Sequence, residues 1–331
     1  MRRLDHFMAT ANAQYYTERD PFADFITAPE LTQVFGELLG LWAAEAWRLL
    51  GRPDPVLLAE AGPGRGTLMA DALRAIRAVT PDFAGALRLH LIETSPRLRA
   101  RQAEKLPGAT WHETLAGLPP GPLILIANEF LDALPIRQFV HRCGAWSERY
   151  VAGAAFAEIA CPDPPALLVE TAPPDMPEGG VMEVAEAALD WVAALAGRIV
   201  ADGGAALLID YGPVRAAPGE SLQALRDRRP APPLENPGCA DLTAHVAFSP
   251  LAACARARGA AVFGPLAQGV FLARLGLFQR SGQLARGLPP RPAAAMIAAA
   301  QRLAAPERMG KLFKALAIMH PGAPSPPGFE M

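Results

Sequence analysis

The sequence predicts an α/β protein with a doubly wound, mostly parallel sheet. Short apolar runs alternate with segments of helical periodicity between residues 55 and 128, which is the order expected when strands and helices succeed one another. The run Pro122–Asn128 is almost entirely apolar, as is typical of a strand buried on both faces. A glycine-rich turn after the first of these runs indicates where such a sheet would bind a ligand.

Composition favours a folded protein with a substantial core. The chain has 331 residues, of which 51% are hydrophobic and 19% charged, enough for one large domain or two ordinary ones. Its net charge of -2 predicts no general attraction to nucleic acid or to an anionic membrane surface. We find neither a signal peptide core nor a membrane-spanning run, nor any spacing typical of metal ligands. These features predict a cytoplasmic protein with no nucleic-acid partner, no membrane insertion and no metal.

The first 54 residues are predicted to form an N-terminal cap of loop and helix. A polar, aromatic loop is expected through about residue 28, followed by a helix that begins near Pro29. Thr27 is the predicted N-cap of this helix, with Glu30 completing a capping box, and Gly51 suits its end.

Residues 55–135 and 182–331 are predicted to form the ligand-binding domain. Its expected strands are 56–60, 89–93, 110–113, 122–128, 205–212, 260–263 and 311–319. Its expected helices are 67–79, 95–106, 182–201, 249–258, 268–277 and 292–304.

Between these parts the pattern changes to short strands with tight turns. Residues 136–181 are predicted to be an antiparallel α+β insertion, with strands at 136–142, 146–151, 156–161 and 167–171. Residues 213–248 are rich in proline and arginine and are predicted to be a lid or a substrate-binding region.

The turn Glu60-Ala-Gly62-Pro-Gly64-Arg-Gly66 is the most informative motif. Its G-x-G-x-G spacing departs from the dinucleotide pattern G-x-G-x-x-G, and a phosphate-binding loop would need a lysine that is absent here. An acid directly before the turn would repel a phosphate, but it suits a cation such as S-adenosylmethionine. The plain alternative is a glycine turn that only joins a strand to a helix.

Polar residues at other predicted strand ends extend this candidate site. Glu93 ends the second strand, where it could accept hydrogen bonds from ribose hydroxyls. Asn128 and Glu129 end the fourth strand, where they could orient a nitrogen nucleophile and stabilise its charge. Asp132 follows closely, although both Asn128 and Asp132 could instead cap a helix. His245 is a candidate proton acceptor, or else a partly exposed structural histidine.

Several long motifs together resemble the MidA-type S-adenosylmethionine-dependent methyltransferases. This group includes the mitochondrial arginine methyltransferase that assists assembly of respiratory complex I. The resemblance runs from about residue 7 to the last predicted strand. The motifs that carry it are Asp24-Phe-Ile-Thr27-Ala-Pro29-Glu30, Phe35-Gly-Glu37, Glu60-Ala-Gly-Pro-Gly-Arg-Gly-Thr-Leu-Met69, Glu93-Thr-Ser-Pro-Arg-Leu-Arg99, Asn128-Glu-Phe-Leu-Asp-Ala-Leu-Pro135, Asp210-Tyr-Gly212 and Asp241-Leu-Thr-Ala-His245-Val246.

The resemblance implies a class I, Rossmann-like methyltransferase fold that binds S-adenosylmethionine and releases S-adenosylhomocysteine. It places the cofactor contacts on Gly62, Gly64, Gly66 and Glu93, and it lines the same cleft with Asn128, Glu129 and the loop containing Thr27 and Pro29. It also implies an arginine acceptor in a partner protein, with a complex I subunit as one such partner. The chain departs from the family pattern at three alanines, Ala23, Ala247 and Ala267, which bear on the choice of acceptor.

The sequence therefore predicts a methyltransferase that modifies an arginine of a partner protein. Glu129 is the first candidate to hold the guanidinium, with Asp132 and His245 behind it. Two other functions are open at this stage, namely methyl transfer to a small metabolite and an assembly protein that binds S-adenosylmethionine without turnover. The sequence does not indicate an oligomeric state.

Overall fold

The computed structural model describes residues 1–19 and 27–330, which form two compact units. One unit comprises the described residues of Met1–Phe25 together with Leu131–Trp191 and Gly212–Leu251. The other comprises the remaining described residues, from Thr27 to Phe130, Val192–Tyr211 and Ala252 onward. We call them the insertion unit and the sheet unit. Residues 20–26, which belong to the predicted loop preceding Thr27 and include Ala23, lie outside the described residues.

The strands are numbered in chain order. They are β1 (Arg2–Arg3), β2 (Val56–Ala61), β3 (Leu87–Ile92), β4 (Thr110–His112), β5 (Leu123–Asn128), β6 (Arg137–Arg142), β7 (Ala145–Ala152), β8 (Ala155–Ala160), β9 (Val181–Val184), β10 (Gly204–Tyr211), β11 (Gln223–Arg226), β12 (Arg229–Ala231), β13 (Asp241–Thr243), β14 (Ala261–Ala267) and β15 (Phe313–Met319).

The α-helices follow the same scheme. They are α1 (Leu4–Glu18), α2 (Ala28–Leu31), α3 (Gln33–Leu49), α4 (Thr67–Val79), α5 (Pro81–Ala86), α6 (Pro96–Lys105), α7 (Ala166–Thr171), α8 (Glu186–Asp202), α9 (Phe248–Ala257), α10 (Gln268–Arg274), α11 (Leu277–Ala285) and α12 (Pro290–Ala304). A 3₁₀ turn at Leu115–Gly117 and a π-helical turn at Pro306–Gly310 complete the described elements.

The sheet unit is built on a seven-stranded sheet in the order β14-β15-β10-β5-β2-β3-β4. The pairings from β10 to β4 are all parallel, and β15 is antiparallel to both of its neighbours. Residues of β2 and β5 are buried throughout, which explains why both strands have continuous apolar runs. The predicted doubly wound, mostly parallel sheet is confirmed.

This topology places several loops at one edge of the sheet. The carboxyl ends of β2, β3, β5, β10 and β14 lie at that edge, and β15 begins there because it runs in the opposite direction. In an open α/β sheet this edge is where ligands bind. The fold therefore brings together the glycine turn after β2, the acid after β3 and the polar residues after β5.

The insertion unit contains two antiparallel sheets. One has the order β1-β7-β6-β9, with β8 also pairing with β7, and the other has the order β12-β11-β13. Helix α1 packs its apolar side chains into a core with strands of both sheets, through residues such as Leu4, Phe7 and Met8. The predicted antiparallel character of the insertion agrees with these pairings.

Several local predictions were wrong. Residues 4–18 form a helix rather than a loop, because buried Leu4, Met8 and Tyr15 supply an apolar face despite the polar composition. Residues 167–171 are helical, and residues 181–184 form an edge strand instead of starting a helix. Residues 213–248, predicted as a lid or a substrate-binding region, contain β11, β12 and β13, and that role stays a prediction.

The cap predicted at Thr27 also differs from the structure. Thr27 precedes the short helix α2 without a side-chain capping bond, and this helix ends before Thr32. It is Thr32 that caps the long helix α3, by accepting a hydrogen bond from the Val34 amide. Glu30 instead accepts a hydrogen bond from the Thr67 hydroxyl at 2.7 Å, which ties α2 to the start of α4.

The unit boundaries differ from the predicted domains. The predicted cap of residues 1–54 is divided, since α1 belongs to the insertion unit and α3 to the sheet unit.

Among the described residues, no helix has the length and apolarity to cross a bilayer. Nor does that part of the chain contain a cluster of three potential metal ligands.

Candidate active site

The glycine turn between β2 and α4 requires glycine for its backbone. Gly62, Gly64 and Gly66 have φ angles of 65°, 52° and 73°, in the left-handed region that side chains disfavour. At Gly62 a Cβ atom would also lie 3.0 Å from the Cδ2 atom of Phe130. The turn thus exposes backbone at the sheet edge, where a ligand can approach closely.

Glu60 is an ionisable side chain inside the sheet. It is 2% exposed, and burial together with the charge of Glu93 raises its pKa to about 8. Its Oε2 atom is buried without a hydrogen-bond partner among the described residues. Such a group is stabilised as a carboxylate only when a cation lies against it.

Glu93 is held in place on both of its carboxylate oxygens. Oε1 accepts a hydrogen bond from the Ser95 amide at 2.8 Å, and Oε2 accepts one from the Nε2 atom of Gln102 at 3.2 Å. Burial raises the pKa of Glu93, although these two bonds and Arg99 act in the opposite direction. The side chain is therefore fixed at the end of β3.

Gln102 is the organising residue that sequence analysis missed. Its side chain is fully buried, and Nε2 donates to the Gly64 carbonyl at 2.7 Å as well as to Glu93. The indole of Trp111 donates to Oε1 at 2.8 Å, and because this indole can only donate, it fixes the orientation of the amide. One glutamine thus joins the glycine turn to Glu93. Its only sequence signal was its place on the predicted helix after Glu93.

Glu129 follows β5 and is held by two donors. Its Oε1 atom accepts hydrogen bonds from the Asn128 side-chain amide and from the Ala28 backbone amide, both at 3.1 Å. Its φ angle is 51°, unusual for a non-glycine residue, and strain of this kind concentrates at functional sites. Its backbone amide bonds to the Ile209 carbonyl at 2.9 Å, which anchors it to β10.

The neighbouring polar groups complete this part of the edge. Asn128 is 8% exposed, and its Oδ1 atom is buried without a hydrogen-bond partner among the described residues. Asp210, at the end of β10, accepts hydrogen bonds from the backbone amides of Phe130 and Tyr211 at 3.1 and 2.9 Å. It thereby fixes the backbone directly after Glu129 and at the end of its own strand.

Thr27 and Pro29 flank the Ala28 amide that bonds to Glu129. The structure therefore brings these two predicted residues to the same sheet edge as Asn128 and Glu129. The Thr27 side chain makes no capping bond, and the contact with Glu129 is made by the backbone amide between these two residues.

Asp132 and His245 belong to the insertion unit. The Asp132 carbonyl accepts a hydrogen bond from the Ala244 amide at 2.9 Å, and the residue is 7% exposed. His245 is exposed, and its backbone amide donates to the Ser221 hydroxyl at 2.8 Å. The element after β5 is strand β6, so Asn128 and Asp132 do not cap a helix there. A catalytic role for Asp132 and His245 stays a prediction.

These observations fit a cationic nucleoside. Two buried acceptors, Glu60 Oε2 and Asn128 Oδ1, lie near the ends of the paired strands β2 and β5, and both lack a donor among the described residues. The glycine turn offers close backbone approach, while Glu93 offers carboxylate oxygens suited to hydroxyl groups. The site chemistry, together with the sheet order, is that expected of a protein that binds a nucleoside carrying positive charge.

Comparison with known proteins identifies the family. Residues 38–266 match a family model described as "Putative S-adenosyl-L-methionine-dependent methyltransferase". The chain is 33% identical to a protein named "Protein arginine methyltransferase NDUFAF7 homolog, mitochondrial" from Drosophila melanogaster, over 95% of this chain and 79% of that protein. It is 31% identical to the Homo sapiens protein arginine methyltransferase NDUFAF7, over 92% and 76%. The chain belongs to this methyltransferase family.

A solved structure supports the same conclusion. A superfamily member from Burkholderia thailandensis, crystallised with S-adenosyl-homocysteine, superposes with a TM-score of 0.80 at 27% identity. The comparison covers 98% of this chain and 89% of that one. The protein is thus an S-adenosylmethionine-dependent methyltransferase with a class I, Rossmann-like fold, as its motifs predicted.

The predicted cytoplasmic location is wrong by the same comparison. The curated relatives from Drosophila melanogaster, Danio rerio and Homo sapiens are all named as mitochondrial proteins. The prediction depended on the absence of an apolar signal core, and that absence cannot distinguish the cytoplasm from an organelle whose targeting segments are not of that type.

Proposed function

We propose that this methyltransferase modifies an arginine side chain of a partner protein. The observation that carries the proposal is the carboxylate of Glu129, held by Asn128 and Ala28 at the carboxyl edge of the sheet. A fixed carboxylate is a suitable partner for a planar guanidinium, which presents its donors in a fork. The names of the relatives support the same acceptor class.

Glu60, the three glycines, Glu93 and Asn128 are the residues proposed to hold S-adenosylmethionine, with Thr27 and Pro29 beside them. When bound, the cofactor supplies an electrophilic methyl group on a positively charged sulfur. Glu60 counters positive charge from inside the sheet, and Gln102 keeps Glu93 in a single position. Glu93 requires little rearrangement for this role, because both of its carboxylate oxygens already accept hydrogen bonds.

Glu129 is proposed to bind the acceptor guanidinium and to align one of its nitrogens for transfer. Alignment of this kind supplies much of the rate enhancement in bimolecular reactions. The carboxylate also stabilises the positive charge that is retained on the acceptor. The two donors on Oε1 keep the carboxylate from rotating toward solvent.

The particular acceptor is a finer proposal. The sequence resemblance suggests a subunit of respiratory complex I, and this stays a prediction about the partner. The test is to incubate the protein with S-adenosylmethionine carrying a labelled methyl group and a lysate from a strain that lacks it. We expect a discrete labelled protein whose digestion gives methylated arginine. Label confined to small molecules, or the absence of label with normal cofactor binding, would contradict the proposal.

A further inference from the structure

A groove near the C-terminal end of the sheet unit is not used by the proposed cofactor site. It lies between α10, α12 and the π-helical turn Pro306–Gly310, and has a volume of about 790 Å³. We call it the C-terminal groove. Its lining is mainly apolar, with residues such as Val270, Ala273 and Phe278, and its polar members are Arg274, Gln301 and Lys311.

Large apolar side chains are exposed in and beside this groove. Val270, Phe278 and the neighbouring Leu312 are 44%, 47% and 45% exposed. A concave apolar surface with this exposure is typical of a site that binds part of another molecule. Because the surface is recessed, it suits an inserted segment better than a flat bilayer.

The charge of the surrounding segment indicates the charge that the bound molecule should have. Residues 268–320 contain eight basic residues and one acid, Glu307, whereas the whole chain has a net charge of -2. Arg280 is paired with Glu37, and Arg274 bonds to carbonyls near the C-terminus. Five other basic residues are exposed and make no ion pair within the described part of the chain: Arg286, Arg291, Arg302, Arg308 and Lys311.

The groove lies toward the carboxyl edge of the sheet, where Glu129 is found. Its lining includes Ala267, the last residue of β14, and Lys311, two residues before β15. Strand β15 is separated from β5 by β10 alone, which amounts to two strand spacings, or about 10 Å. An extended chain covers that distance in about three residues. The groove and Glu129 therefore lie toward the same edge of the sheet, where one bound protein can contact both.

We propose that the C-terminal groove binds an acidic, amphipathic helical segment of the protein substrate. The apolar side chains of that helix fill the groove in the manner of other helix-binding clefts, and its carboxylates face Lys311 in the lining and Arg302 and Arg308 beside it. Opposite charge accelerates encounter and fixes the orientation of the complex. The identity of the occupant as the methyl acceptor rests on the proposed function, whereas the binding of an acidic helix does not.

The first experiment measures peptide binding to the full-length protein. The probe is a fluorescent 18-residue helix with leucine at helical spacing and glutamate elsewhere, and a second peptide carries lysine in place of glutamate. We expect the acidic peptide to bind at least tenfold more tightly. The double variant Arg308→Glu/Lys311→Glu should lower that affinity at least tenfold, with an unchanged melting temperature.

The matched control is Arg258→Glu. Arg258 is also an exposed arginine of the sheet unit, but it precedes β14 and so lies toward the opposite edge of the sheet. Its variant should bind the acidic peptide normally. Equal binding of the two peptides, or equal losses in both variants, would overturn the proposal. So would binding to vesicles containing phosphatidylglycerol without binding to the peptide.

A second measurement separates this inference from the proposed function. When the concentration of lysate protein limits the rate, the double variant should label the methyl acceptor at least tenfold more slowly than the wild-type protein. Its affinity for S-adenosylmethionine, measured by calorimetry, should be unchanged. If the wild-type protein labels no protein at all, the proposed function fails even where the peptide binds. If both variants label the acceptor at the wild-type rate, the docking role fails while the proposed function stands.

Discussion

The amide of Gln102 donates a hydrogen bond to the carboxylate of Glu93 at 3.2 Å, on the buried side of that residue. The same nitrogen donates to the carbonyl of Gly64 at 2.7 Å. Two parts of the proposed cofactor site that lie on different loops are therefore coupled through one side chain. A hydrogen bond to a charged group contributes about 1.5–3 kcal/mol, so this coupling is large enough to affect ligand affinity.

We expect Gln102→Leu to raise the KM for S-adenosylmethionine about tenfold or more, with a smaller change in kcat. The substitution leaves the Gly64 carbonyl and the Trp111 indole without their partner and releases Glu93. Gln102→Glu should be more harmful, because it places a second carboxylate beside Glu93, and its defect should diminish at lower pH. Steady-state kinetics and calorimetry test this. The exposed Gln283→Leu is the control, and equal kinetics in the Gln102 and Gln283 variants would refute the positioning role.

The raised pKa of Glu60 predicts a dependence on pH. When a carboxyl group has a higher pKa in the folded protein than in the unfolded chain, the fold is most stable at low pH. That stability is lost as pH rises through the folded-state pKa. The stability of the ligand-free protein should therefore fall as pH rises from about 4.5 through about 8 and then level off. In Glu60→Gln this decrease should be smaller; urea unfolding at several pH values measures it. A decrease of wild-type size in the variant would mean that another group, such as Glu93, is responsible.

Cofactor binding should show the complementary pH effect. A cation beside Glu60 favours its ionised form, so binding of S-adenosylmethionine below pH 8 should release a proton and become tighter as pH rises. Calorimetry in buffers of different ionisation enthalpy detects the proton. The Glu60→Gln variant should bind more weakly and release less. Identical proton release in the two proteins would exclude Glu60 as the group that ionises.

Glu129→Gln is expected to reduce labelling of the acceptor protein at least a hundredfold while cofactor affinity changes little. The neutral amide keeps the shape of the side chain but removes the charge that pairs with a guanidinium. The same substitution at the exposed Glu113 is the control and should be silent. Labelling at the wild-type rate in Glu129→Gln would remove this residue from the transfer step.

Gly62→Ala should destabilise the protein by about 1–3 kcal/mol and weaken cofactor binding. Its φ angle of 65° disfavours a side chain, and the added Cβ atom would lie 3.0 Å from Phe130. A Cβ atom added at Gly85, in α5, would have no neighbour within 4 Å, so Gly85→Ala should be neutral or slightly stabilising. Chemical unfolding of both variants gives the comparison. Equal stabilities would mean that the turn can relax.

The strands and helices of the sheet unit could largely be predicted from the sequence, because burial on both faces produces apolar runs that local pattern alone reveals. Helix α1 was missed since its mean polarity masks a single apolar face, which only the insertion unit completes. The edge strand β9 was predicted as part of α8 because its apolar residues continue into the helix.

Only part of the candidate site could be predicted from the sequence, because local pattern reveals some of its residues and not others. Glu60, the glycines and Glu93 occupy strand ends, where sequence position implies spatial position. Gln102 lies on a helix, and its role depends on the side-chain contacts with Gly64 and Trp111 that no local pattern encodes. The groove likewise arises where α10 meets α12 and the turn that follows it, a contact between segments that are separate in sequence.

The hydrogen bond from the Trp111 indole to Gln102 has a practical consequence. Indole emission responds to changes in the polarity and hydrogen bonding of its surroundings, and this ring lies one side chain away from Glu93. The protein therefore carries an intrinsic fluorophore linked through Gln102 to its proposed cofactor site. Rapid-mixing optical experiments could follow occupancy there in real time, without attaching any dye.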